Sequence, residues 1–203
     1  MLYDGLWSEI PLKSLRMSNA DPHPAPADSG NIILVGLMGA GKTSVGKALA
    51  RFLDKTFVDS DQKIERATGV KIATIFEIES EAGFRARESK MLQELVAHKN
   101  IVLATGGGAV LSGENRALLA AGGTVIYLRA PVASLLKRTR RDRNRPLLQG
   151  TNAATTLTAL FDLRDPLYRE VAHLVVDTGE QSVHMLAAQI ADKLRLRQNA
   201  APA

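Results

Sequence analysis

The apolar run IILV at 32–35 passes without a linker into GLMGAGKT at 36–43, and that octapeptide opens into SVGKALARFL. A strand, a glycine-rich turn of the form GxxxxGK[ST] and a helix in direct succession leave few alternatives for the fold. The glycines let backbone N–H groups curl around an anion, Lys42 can bridge terminal phosphates, and the Thr43 hydroxyl can ligate Mg²⁺. The start of the following helix places a positive dipole end under the same anion. A phosphate-binding loop in a parallel α/β sheet is therefore the first expectation.

The remainder of the chain continues that pattern. Short apolar runs at 56–59, 101–105, 124–128 and 173–177 alternate with helical stretches at about 42–53, 61–67, 71–78, 81–98, 113–121, 131–139, 153–163, 166–171 and 181–197. Continuous apolar strands separated by helices mark a parallel sheet covered on both faces, so a three-layer α/β/α domain with five strands is predicted. Gly122 and Gly123 are expected to stop the helix before them, and Pro131 to occupy a first helical turn. Residues 1–28 hold four of the eight prolines without a sustained period, which predicts a flexible extension ahead of a single domain over 29–199.

Composition removes several functions. With no cysteine in 203 residues, disulfides, thiolate metal sites and cysteine nucleophiles are excluded. No basic stretch followed by a long apolar one opens the chain, and nowhere do 18 apolar residues run together, so a cytosolic protein with no membrane partner is expected. The net charge of +5 resides entirely in residues 137–145, where five arginines and one lysine face a single aspartate. A basic segment so confined suits a polyphosphate ligand better than a nucleic-acid backbone, which requires an extended positive face.

Four further segments are candidates for chemistry. Asp59 and Asp61 flank Ser60 where the second strand ends, on the sheet edge where open α/β proteins bind ligands. They either cap the next helix or divide the roles of supporting a metal and orienting an acceptor hydroxyl. In GFRARES, Arg85 and Glu88 lie three apart on a helix, so the glutamate can hold the guanidinium in place. Three consecutive glycines, Gly106, Gly107 and Gly108, follow the third strand, and close approach of a ligand to backbone explains them better than a turn. Arg169 in DPLYRE and Arg85 together suit a carboxylate clamp.

Taken in order, GLMGAGKTSVGKALA, DSD, GFRARES, TGGGAV, RPLL and DPLYREVA resemble the shikimate kinase family over about residues 31 to 190. The resemblance implies a nucleoside-monophosphate-kinase-like fold with strand order 2-3-1-4-5. It implies transfer of the ATP γ-phosphate to the 3-hydroxyl of shikimate, a step in chorismate and aromatic amino acid biosynthesis, with Mg²⁺ as cofactor and a monomer binding small molecules. On it, Gly39, Ala40, Gly41, Lys42, Thr43 and Ser44 hold phosphates, and Thr43 and Asp59 serve the metal. Asp61 meets the reacting hydroxyl, with Lys42 and Arg145 also catalytic. Arg85, Arg169 and the turn Gly106 to Gly108, foremost the Gly107 N–H, bind shikimate, with Glu88 behind Arg85. Arg138 packs on adenine. The shikimate-binding region spans about 59–90, and a lid over about 138–152 carries Arg145. The family's adenine loop departs here to DTGEQSV, leaving Gln181 as the nearest candidate. A gluconate-type kinase, a nucleoside monophosphate kinase or a nucleotide-binding protein without catalysis are the rival readings.

Overall fold

A computed structural model describes residues 30–140, 152–179 and 181–200. Five parallel strands form one sheet in the order β2-β3-β1-β4-β5. These are β1 (Ile32–Val35), β2 (Thr56–Asp59), β3 (Ile101–Ala104), β4 (Thr124–Arg129) and β5 (Leu174–Asp177). The two inner all-apolar runs, IILV and IVLA, are buried at every position, while the edge strand β2 stays partly exposed. Strands with no polar alternation have no solvent face to offer, so helices must cover both sides.

Helix α1 (Lys42–Phe52) packs on α7 (Val183–Ala200), and α3 (Ile72–Val96) packs on α4 (Gly113–Gly122), which in turn meets α6 (Ala153–Val171). The remaining helices are α2 (Ser60–Thr68), beside α3, and α5 (Val132–Thr139), beside α6. A short 3₁₀ turn at Ala109–Leu111, absent from the sequence expectation, follows β3. The main core runs through all five strands, and a satellite cluster of Ile64, Ile75 and Phe84 lies between α2 and α3.

Three local features depart from a plain alternation of strands and helices. The expected helices at 71–78 and 81–98 run together as α3, joined through Ser80 at φ 64°, ψ −178°. That conformation is nearly exclusive to glycine. The limb before it carries Ile75 into the satellite cluster, and the limb after it carries Leu92 and Leu95 into the main core. The elbow is clamped from outside by Arg87, whose Nε and terminal nitrogen each donate to a Glu79 carboxylate oxygen at 2.7 Å.

The helices expected at 153–163 and 166–171 are one. Pro166 lies inside α6 and forfeits one intrahelical bond, but the buried face Leu157, Arg164, Tyr168 and Val171 keeps helical spacing across it. Packing on both sides of the proline therefore outweighs the lost bond. Pro131 is the residue before α5 rather than in it. Gly123 does end α4, yet in an extended conformation; a side chain there would strike the Asn31 carbonyl at 2.6 Å. Among the described residues no helix is long and apolar enough to cross a membrane. Residues 1–28 and 141–151, which include most of the expected lid, lie outside the described residues.

Candidate active site

The carboxyl ends of the strands converge on a cleft of about 950 Å³. Its floor is the loop after β1. Gly36, Gly39 and Gly41 all have positive φ, a conformation open to glycine at no steric cost. Gly41 is the left-handed cap of α1 and no side chain caps that end, so the first N–H groups of the helix face the cleft without intrahelical acceptors. Lys42 Nζ donates to the carbonyls of Gly36 (2.7 Å) and Leu37 (3.0 Å), which holds the ammonium over the loop.

Beside the loop, Thr43 Oγ1 donates to Asp59 Oδ2 at 2.9 Å. The other Asp59 oxygen accepts from the Gln62 N–H at 3.3 Å, which makes Asp59 the N-cap of α2. The two readings of Asp59-Ser60-Asp61 thus separate by residue. Asp59 caps the helix while facing Thr43, and Asp61, two places on, lines the cleft.

The third wall is the turn after β3. A Cβ on Gly106 would lie 2.5 Å from Glu88 Oε1 and 2.8 Å from Asp61 Oδ1, and one on Gly108 would collide with the Arg85 guanidinium. These glycines are required by side chains pressed against them, whereas Gly107 has ordinary clearance and lines the cleft. Ser60, fully buried, accepts the Gly106 N–H at 3.1 Å and so ties the start of α2 to the turn.

Arg85 is set by two carboxylates. It donates to Glu88 Oε2 at 2.6 Å and to Glu81 Oε1 at 2.9 Å. Glu88 is completely buried, and burial pushes its carboxyl above the usual carboxylate range against the pull of the Arg85 and Arg164 guanidinium groups. Across the turn, Arg164 NH1 donates to the Gly107 carbonyl at 3.1 Å. Arg164 is only 5% exposed, which is rare for an arginine unless its charge is used.

A family model described as shikimate kinase matches residues 38–195. The chain belongs to the shikimate kinase family. It is 59% identical to the shikimate kinase of Nitrosospira multiformis over 170 residues, 84% of this chain and 87% of that one. With the shikimate kinase of Nitrosomonas europaea it shares 55% over 183 residues, 90% and 85% of the two chains. Its fold matches a shikimate kinase from Acinetobacter baumannii in complex with shikimate at a TM-score of 0.81 and 49% identity, covering 88% of this chain and 97% of that one.

Within this shikimate kinase fold the sequence-derived candidates fall into three groups. Gly39, Ala40, Gly41, Lys42, Thr43, Ser44, Asp59, Asp61 and Gly107 line one cleft, together with Arg138 and Gln181. Arg138 spans its far end, donating to the carbonyls of Gly179 (2.8 Å) and Gly39 (3.4 Å) and to Thr178 Oγ1 (3.3 Å). Arg85, Glu88, Gly106 and Gly108 stand directly behind the acceptor wall.

Arg169 is not brought there. Its Nε donates to Asp165 Oδ2 at 2.7 Å, and its side chain is 47% exposed. The carboxylate it holds also accepts from Tyr127 (2.8 Å) and Arg129 (3.0 Å), whereas Arg85 is held by Glu88 and Glu81. Residues 164 and 169 differ by five on one helix, so they point about 140° apart at about 100° per residue. The sequence contained the distinguishing signal, because Leu157, Arg164, Tyr168 and Val171 share one helical stripe. Arg145 lies outside the described residues.

Proposed function

We propose that the chain phosphorylates the 3-hydroxyl of shikimate with ATP, giving shikimate 3-phosphate and ADP. One observation carries this reading. A phosphate-binding loop faces, across a single cleft, the Asp61 carboxylate and Gly107, and the guanidinium groups of Arg85 and Arg164 press on the glycine turn that carries Gly107. ATP phosphates lie on the N–H groups from Gly39 to Ser44, with Lys42 turned from its loop carbonyls to the terminal phosphates. Arg138 and Gln181 border the adenine. The acceptor's carboxylate is gripped by Arg85 and by Arg164, which takes the part first expected of Arg169, and the glycine turn adds a backbone N–H.

Asp61 orients the acceptor hydroxyl and accepts its proton as the phosphoryl group moves in line. Thr43 Oγ1 and Asp59 Oδ2, two oxygen donors beside the loop, fit Mg²⁺, which takes one or two protein oxygens and completes its shell with phosphate and water. When bound, the ion neutralises charge on the phosphate oxygens. Arg145 is the lid residue that reaches the transferring group. The enzyme acts as a monomer on these two small molecules.

A coupled ADP-release assay with Mg·ATP tests the reading against shikimate, gluconate, several nucleoside monophosphates and RNA. Sustained turnover is expected with shikimate alone. Faster turnover with gluconate or with a nucleotide would overturn it.

A further inference from the structure

Gly107 is joined to Gly108, and a peptide with glycine on both sides has no Cβ to oppose its rotation. Its orientation nonetheless matters for acceptor binding. In a trans peptide the Gly107 C=O and the Gly108 N–H point in opposite directions, so whatever holds the carbonyl also aims the amide. Two donors hold it here: the Tyr168 hydroxyl and Arg164 NH1 both bond the Gly107 carbonyl. The Gly107 and Gly108 N–H groups, by contrast, have no hydrogen-bond partner among the described residues.

The Tyr168 ring is completely buried and stacks on Tyr127 with centroids 4.9 Å apart. Tyr127 is fixed in turn by its hydroxyl, which donates to Asp165 at 2.8 Å. The phenol of Tyr168 cannot swing to another acceptor without breaking this stack. Burial also pushes its pKa well above the ordinary value, so the hydroxyl is a donor at neutral pH.

We propose that Tyr168 is a positioning residue of the acceptor site: its hydroxyl locks the Gly107–Gly108 peptide and with it the backbone at Gly107 that lines the cleft. The inference rests on the shikimate kinase reading and adds a residue that touches neither substrate. Arg164 alone is a weaker lock, because its guanidinium has a second task in gripping the acceptor carboxylate.

Tyr168→Phe tests this, since it keeps the ring and the stack and removes only the donor. The KM for shikimate is expected to rise about tenfold, the effect of one buried hydrogen bond. Turnover at saturation should fall less than about threefold and ATP affinity without acceptor should hold. Amide hydrogen exchange at Gly108 should accelerate in the same variant. Tyr127→Phe, which cuts the Asp165 bond but leaves the lock, should keep KM within about twofold. A lowered melting temperature with KM unchanged in Tyr168→Phe would reduce the residue to packing and overturn the proposal. An equal rise in KM in both variants would assign the effect to the stack and overturn it too. If the unaltered chain fails to turn over shikimate, the functional reading falls and this inference falls with it.

Discussion

The phosphate wall of the cleft is one continuous segment, whereas the acceptor wall is assembled from four. Between Gly36 and Thr43 the backbone itself is the binding surface, bent by three glycines and completed by the start of α1. Opposite it, Asp61 comes from α2, Arg85 and Glu88 from the second limb of α3, Gly106 to Gly108 from the end of β3, and Arg164 from α6. The first wall forms wherever strand, loop and helix are joined in that order. The second exists only when four elements have reached their places, so it inherits the geometry of the whole core. Damage to the first should therefore impair phosphate handling for any acceptor, and damage to the second should impair the use of one acceptor.

Asp61→Asn gives the largest expected effect and tests that division at the point where the walls meet. Because Asp59 accepts the Gln62 N–H, the amide at 61 does not cost α2 its cap, and thermal unfolding should be nearly unchanged. An amide is a far weaker base and presents donors where an acceptor is needed. The kcat should fall roughly 10²–10⁴-fold while ATP affinity holds. Turnover within about tenfold of normal would move the proton-accepting role elsewhere.

The next test separates two arginines five residues apart. Arg164→Met keeps the apolar stem in its buried site and should raise the KM for shikimate about 10²-fold, within the roughly 2–5 kcal/mol span for losing one buried charged partner. Arg169→Ala removes an exposed partner of Asp165 and should leave KM within about threefold. Steady-state kinetics giving the reverse order would return the carboxylate clamp to Arg169.

That pair also explains what could be read from the sequence. The strands, their order through the family resemblance, and the phosphate loop were legible because each is encoded over a few adjacent residues. The acceptor wall was legible only where two of its members share a helix turn, as Arg85 and Glu88 do. Arg169 stood out because it follows DPLY, and only the azimuth of α6 on the sheet shows that Arg164 faces inward. Ser60 and Tyr168 were hidden for the same reason, since their partners, Gly106 and Gly107, are 46 and 61 positions away. The continuity of α6 through Pro166 was missed because tertiary packing overrode a local breaker.

Two carboxylates, Asp165 of α6 and Glu88 of α3, should respond oppositely to pH. Burial works against ionisation of Asp165, yet hydrogen bonds from Arg169, Tyr127 and Arg129 outweigh it and hold its carboxyl below the usual range. Its stabilising contribution is present above the ordinary carboxylate value and is lost as pH falls through the lower folded one. Glu88 has the opposite sign: between the ordinary value near ~4.3 and its own raised one, the folded chain binds the extra proton, so this contribution grows as pH falls. Burial therefore sets a cost on the ionised form of Glu88 that serves Arg85. Glu88→Gln should keep or raise the melting temperature at pH 7 while raising the KM for shikimate about tenfold. The unaltered chain should also show KM climbing toward acid pH, and the variant should flatten that rise. A lower melting temperature at pH 7 with KM unchanged would make Glu88 a plain structural ion pair.

The smallest expected effect concerns the elbow that carries Arg85. Ser80 holds a conformation that costs a non-glycine residue of order 1–3 kcal/mol, and it sits between a limb that ends in the satellite cluster and one that joins that cluster through Phe84 and the main core through Leu92 and Leu95. Ser80→Gly removes that strain but gives the unfolded chain more freedom, an opposing term of about 0.5–1 kcal/mol. The net gain should be about 1 kcal/mol, or roughly 2–4 °C in melting temperature for a domain of this size. Acceptor KM should not move, because the Glu79–Arg87 bridge and the close approach of Gly83 to Glu79 fix the bend independently of residue 80. If the substitution instead raised KM with the melting temperature unchanged, the strained serine itself would be setting the position of Arg85. The acceptor wall would then depend on a residue of α3 that does not line the cleft.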